Sequence, residues 1–169
     1  YAERMLQTKA PQQLVQILAR RQDVAELCAT PRPLCATMEP GFSLTDQLAA
    51  AAYLQAQARP PKRLFIWGFE PTIYFISQWE PASRFIYDLT LYGDWAWPEL
   101  RANLLSDLEH NPPTYVIVSS DDQLPLVTGM TADSATTLHA FAEFDAVLAT
   151  EFEPETAFGS LTLYRRIAK

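Results

Sequence analysis

Apolar positions along this chain change period several times, and each change marks an expected element. Over residues 11–30, Leu14, Ile17, Leu18, Val24, Ala25 and Cys28 share one helical face. Pro11 suits a first turn and Pro31 ends the run. A shorter helical piece over residues 2–9 precedes it. A second helix is expected over 45–58, with Ser43 or Thr45 as cap, Asp46 in the first turn, and a stripe of Leu44, Leu48, Ala51 and Ala52. Its many alanines allow close packing on a sheet, and Pro60-Pro61 stops it. Residues 63–87 then read as strand, turn, helix, turn, strand. The apolar run Leu64-Phe65-Ile66-Trp67 stops at Gly68, Glu70-Pro71 opens an aromatic helix over 72–79, Glu80-Pro81 breaks it, and a second strand is expected over 84–87.

After an aromatic loop over 92–98, Pro98 starts a third helix with Leu100, Leu104, Leu105 and Leu108 on one side, ended by Asn111-Pro112-Pro113. Tyr115-Val116-Ile117-Val118 is the clearest strand, apolar on both faces as a central parallel strand is. A loop over 123–132 leads to a fourth helix over 134–149, with Leu138, Phe141, Phe144 and Leu148 inward. Alternating runs at 151–156 and 160–166 around Ala157-Phe158-Gly159 predict a closing hairpin. The pattern predicts one α/β domain over 1–169. Its fold class is a three-layer sandwich with a mostly parallel, Rossmann-like sheet, helices on both faces and a C-terminal antiparallel hairpin.

Composition narrows the function. The 169 residues, 49% hydrophobic and 12% aromatic, suffice for a sizeable core. No apolar run approaches the ~18 residues of a membrane span. The N-terminus has neither signal-peptide character nor an initiator Met, so the chain is expected to be a segment of a longer protein. Residues 1–60 carry six Lys/Arg against five Asp/Glu, and residues 61–169 seven against fifteen. A body that acidic repels phosphate backbones and anionic lipid, so no nucleic-acid partner is expected.

Candidate chemistry is sparse. Gly68 follows a strand, but GFEP is not G-x-G-x-x-G, and a nucleotide would lack its backbone cradle. Asp121 and Asp122 lie just beyond the best strand, where α/β folds bind ligands. They are either a metal- or sugar-binding pair or a turn that caps local N–H groups, and the turn is the favoured reading. Trp67 and Phe75 are expected in the core, whereas Trp95 and Trp97, in a loop, are candidate binding residues. Glu70 and Arg84 flank the helix of the 63–87 unit and are expected to pair with each other as structure, with binding as the alternative. Glu151, Glu153 and Glu155 alternate and are expected to face water. His139 is read as a surface or half-buried histidine. No metal ligand set and no cofactor are expected. Cys28 and Cys35 match no zinc or redox spacing; they either bridge, in an oxidising compartment, or remain reduced small hydrophobes.

The residues Trp67-Gly68-Phe69-Glu70-Pro71, Tyr74 and Glu80-Pro81-Ala82-Ser83-Arg84-Phe85-Ile86-Tyr87 resemble a pattern in the soluble C-terminal portion of bacterial membrane glycosyltransferases. These are the GT-C enzymes similar to dolichyl-phosphate-mannose protein mannosyltransferases. Asn111-Pro112-Pro113-Thr114-Tyr115-Val116-Ile117-Val118 and Leu163-Tyr164-Arg165-Arg166 resemble later blocks of that pattern. The likeness covers residues 45–169 and leaves 1–40 as an N-terminal helical elaboration. It implies a parent enzyme that moves a sugar from a polyprenyl-phosphate carrier outside the cytoplasm. The family's catalytic carboxylate lies in the membrane part, so none is carried onto this chain. This chain would then be a non-catalytic, extracytoplasmic (periplasmic or cell-surface) domain, tethered through the membrane part of the same polypeptide. It would serve glycan or protein acceptor recognition, partner binding or support. That setting also favours the Cys28–Cys35 bridge. The other expectations are a free-standing sugar or small-molecule binding module, and a metal enzyme built on Asp121 and Asp122.

Overall fold

The structure, a computed structural model, describes residues 41–92 and 96–168. The helices expected within 1–40, the Cys28–Cys35 pair and Trp95 therefore lie outside the described residues. The elements are α1 (Leu44–Ala56), β1 (Arg63–Trp67), α2 (Thr72–Ser77), β2 (Glu80–Pro81), a 3-10 turn (Leu89–Leu91), α3 (Pro98–His110), β3 (Tyr115–Ser119), α4 (Pro125–Thr128), α5 (Ser134–His139), α6 (Ala142–Glu151), β4 (Phe152–Phe158) and β5 (Leu161–Arg166).

The five strands form one sheet in the order β2-β1-β3-β5-β4. β2 and β3 run parallel to β1, while β5 is antiparallel to β3 and β4 antiparallel to β5. The closing hairpin is as expected, but the sheet is mixed rather than mostly parallel. The difference follows from where the hairpin lands. Leu161 and Leu163 of β5 extend the apolar face of β3 and join the sheet's interior, while the parallel side ends in a strand of two residues.

β1 and β3 are buried from both sides, and their alternation divides the interior in two. Phe65, Trp67, Val116 and Val118 meet Leu104 and Leu108 of α3, Leu138 of α5, and Phe144 and Leu148 of α6. Leu64, Ile66, Tyr115 and Ile117 meet Ala50, Ala51 and Leu54 of α1 and Ile73 of α2. Ser43 caps α1, its hydroxyl accepting from the Asp46 N–H at 3.2 Å. Pro98 occupies the first turn of α3, a position that needs no N–H.

Four expectations are corrected. The second strand of the 63–87 unit is Glu80–Pro81 rather than 84–87. Pro81 is tolerated because β2 is an edge strand, and residues 83–84 are drawn off the ladder by Asp107. The Asp107 carboxylate accepts from Ser83 Oγ, Arg84 N, Arg84 Nε and Arg84 Nη2 at 2.7–3.1 Å. Phe75 is 67% exposed because Ile73, Tyr74 and Ser77 take the inward face of α2. The fourth helix is two, α5 and α6, because Phe141 leaves helical geometry (φ −102°, ψ 78°) to enter the core against Trp67 and Phe144. Glu155 does not simply face water: the register shifts between Pro154 and Thr156, and its carboxylate accepts from Tyr115 Oη at 2.8 Å and from Tyr53 Oη at 2.5 Å. Burial opposes its ionisation, but those phenols, with Arg165 and Arg59, hold its pKa below the ordinary value.

Because β2 covers only the first residues of β1, the rest of that edge needs another partner. The Tyr74 hydroxyl supplies it, accepting from the buried Ile66 N–H at 2.9 Å. Removing that oxygen strands a buried donor, which costs about 1–3 kcal/mol. Tyr74→Phe is therefore expected to lower unfolding free energy by that amount in urea titration, with an unchanged far-ultraviolet spectrum; a loss within error of zero would show the Ile66 N–H finds another acceptor.

Candidate functional site

The C-terminal ends of β1 and β3 converge on an enclosed group of acids. β1 stops at Gly68, where the Glu70 carboxylate folds back over the main chain: a Cβ on Gly68 would sit 2.4 Å from Glu70 Oε2 and 2.7 Å from Ser119 Cβ. Glycine is thus required by the close approach. Ser119, the last residue of β3, donates to Glu70 Oε1 at 2.9 Å. The chain returns to this end at Asp88, whose N–H reaches the Gly68 carbonyl at 3.4 Å. Asp122 fixes the start of α5, accepting from Ser134 N at 2.8 Å and Ser134 Oγ at 2.6 Å. The Ser134 carbonyl in turn accepts from Trp67 Nε1 at 2.8 Å. Glu70, Asp88 and Asp122 are all buried, with relative exposures of 1%, 0% and 1%.

Their hydrogen bonding is unequal. Both Asp122 oxygens have donors. Glu70 Oε2 and both Asp88 oxygens have none among the described residues. Ser134 lies near enough to Asp88 to favour its ionised form somewhat, but the hydroxyl hydrogen is committed to Asp122. Burial, reinforced by the Asp122 charge, pushes Glu70 up to about 7. Burial, reinforced by Asp122 and Glu70, pushes Asp88 up to about 8. Asp122 is also raised by burial, against the Ser134 bonds that favour its carboxylate. The Tyr92 phenol, also buried, is pushed up by burial and then by Asp88 and Asp122. A neutral Asp88 at pH 7 can donate a hydrogen bond where its carboxylate has nothing to accept. The group is closed to solvent, and what it can do chemically is hold protons. Among the described residues, no set of three or more His, Cys, Asp or Glu side chains is arranged to hold a metal ion.

The residues singled out from sequence fall in different places. Glu70 and Asp122 are brought together. Arg84 is not with Glu70: it is exposed and pairs with Asp107 at 2.7 Å, whose carboxyl is held at about 2 first by the Arg84 hydrogen bond. Asp121 is exposed, in left-handed backbone (φ 59°), and its N–H donates to Asp133 Oδ2 at 3.0 Å. The Asp pair thus splits: Asp121 lies in a solvated turn, while Asp122 points inward and holds Ser134, the first residue of α5, whose N-cap is Asp133. Trp97 is 70% exposed, next to an open cleft of about 410 Å³ lined by Pro98, Arg101, Phe141 and Glu143. His139 is at the surface, 2.8 Å from Asp145. Asp88 was missed by sequence reasoning. Its signal is an acid set inside an apolar run, between Ile86-Tyr87 and Leu89.

Among solved structures, the C-terminal globular domain of an oligosaccharyltransferase from Archaeoglobus fulgidus is similar to this chain, at 11% identity and a TM-score of 0.43, covering 75% of this chain and 99% of that one. No protein-family model and no curated protein matches the chain.

The raised acids link stability to pH. Each binds its proton more tightly folded than unfolded, so its contribution is complete below the unfolded pKa near ~4 and is lost as pH rises through the folded value. Stability is expected to fall by on the order of a few kcal/mol between pH 4 and pH 8, through about 7 for Glu70 and about 8 for Asp88. Asp88→Asn should flatten urea-denaturation stability across that range and raise it at pH 8; a wild-type profile that rises with pH would contradict the assignment. Gly68→Ala must displace Glu70 or Ser119, and overpacking of that kind costs about 1–3 kcal/mol. Its unfolding midpoint should drop accordingly, and a midpoint equal to wild type would mean the Glu70 carboxylate moves aside freely.

Proposed function

We propose that this chain is a non-catalytic, extracytoplasmic domain of a bacterial GT-C membrane glycosyltransferase that uses a polyprenyl-phosphate-linked sugar, similar to the protein mannosyltransferases. Its part is to support the membrane-embedded catalytic portion or to present the acceptor. The reading starts from the likeness of residues 67–87 to the soluble portion of those enzymes. The observation that carries it is how that stretch uses its polar side chains. Glu70 accepts from Ser119, Tyr74 from Ile66, and Ser83 and Arg84 donate to Asp107. The signature residues hold strands and helices together rather than converge on an open pocket, as a supporting domain requires.

The test is one of topology and activity. The full reading frame, fused after Lys169 to a reporter active only outside the cytoplasm, is expected to give signal. Deleting residues 41–169 should lower glycan transfer in membranes while leaving the membrane part inserted. A reading frame with no hydrophobic spans before Tyr1, or a reporter active only in the cytoplasm, would overturn the proposal.

A further inference from the structure

Exposed apolar side chains gather at the sheet end that also carries the buried acids. We infer that this end rests on a neutral, zwitterionic lipid–water interface, touching it through Leu126, Val127 and Trp97. The inference deepens the membrane-tethered reading above and rests on it for the identity of the surface.

Leu126 is fully exposed and Val127 59% exposed, both on α4 in the loop that follows β3. α4 contributes no buried residue, yet it is a closed turn. The Thr128 hydroxyl donates to the Leu124 carbonyl at 2.9 Å and the Gly129 N–H to the Pro125 carbonyl at 2.9 Å. Met130, just beyond, is anchored against the core. A small rigid turn held from below, with two aliphatic side chains outward, gains nothing for the fold from those side chains. Trp97, 70% exposed, stands immediately before the first residue of α3. That start lies at the same end, because α3 finishes at His110, just before β3 begins. Tyr87, 36% exposed, flanks the edge one residue before Asp88, which reaches the Gly68 carbonyl. Trp and Tyr beside aliphatic tips is the composition that settles at a bilayer's headgroup boundary.

Two further observations choose the occupant. Residues 120–133 contain no Lys or Arg and, besides the buried Asp122, two Asp, in a chain of net charge −7. Such a surface is repelled by anionic lipid and suited to neutral headgroups. The second is where the chain enters. Gly41 packs directly on this loop: a Cβ there would lie 2.0 Å from the Asp121 carbonyl oxygen, and Ser160 Oγ donates to the Gly41 carbonyl at 3.0 Å. The described residues therefore begin at this end, on the same side as the apolar tips.

The test uses the complete 169-residue chain and sedimentation with vesicles. Binding to phosphatidylcholine vesicles is expected, with a blue shift in tryptophan emission, and weaker binding when part of the lipid is replaced by phosphatidylserine. The double variant Leu126→Ser/Val127→Ser should lose about tenfold or more in vesicle affinity, as expected for keeping two aliphatic side chains from burial, at an unchanged Tm. Trp97→Ala should lose the blue shift. No binding to phosphatidylcholine, or wild-type binding by the double variant, would overturn the inference. The topology reporter reads separately: extracytoplasmic signal without vesicle binding sinks the lipid contact alone, whereas vesicle binding with a cytoplasmic reporter supports the contact and sinks the glycosyltransferase reading.

Discussion

The parallel pairing of β1 with β3 is the constraint on which the rest depends. Leu64 to Trp67 sit opposite Tyr115 to Val118, and each of these side chains is buried. A strand pair buried on both faces cannot be covered from one side. The chain therefore supplies α1 and α2 on one face and α3, α5 and α6 on the other. Period-2 alternation in two short strands thus sets the number of cores, and the helices are placed by what those cores leave uncovered.

The same pair determines where the acids gather. Two parallel strands end together, so Gly68 and Ser119 fall side by side and the chain leaving each must turn there. Ser134 ties the result together: its carbonyl takes the Trp67 indole N–H from β1, and its N–H and hydroxyl go to Asp122 after β3. Packing of that kind holds a carboxyl group out of water either by giving its oxygens donors, as Ser134 does for Asp122, or by letting it keep its proton. Asp88, with neither oxygen paired, follows that logic furthest.

Much of the framework was legible in the sequence, for physical reasons. The strands at 64–67 and 115–118 are runs that no helix period explains, and proline and asparagine mark the ends of the helix at 98–110. The hairpin shows as alternation. What was not legible depends on tertiary competition. Nothing local distinguishes Glu80–Pro81 from 84–87 as the edge strand, because Asp107, more than twenty residues away in sequence, draws residues 83–84 aside. The break at Phe141 has no proline or glycine; it comes from the space beside Trp67. The mixed sheet depended on whether a hairpin adds to β3 or lies apart, which periodicity does not encode. Of the candidate site, Glu70 and Asp122 were named for other reasons, and Asp88 stood unnoticed in an apolar run.

The two rims of the sheet share a property. On one side β2 spans two residues and contains Pro81, with the Tyr74 hydroxyl occupying the next donor of β1. On the other, β4 carries Pro154 at a shift of register and the charged Glu153. Each rim thus carries a proline and an interruption that blunt pairing with a foreign strand. Edge-to-edge zipping between copies of this domain is thereby disfavoured, and contacts made through loops can change their side chains without disturbing the sheet.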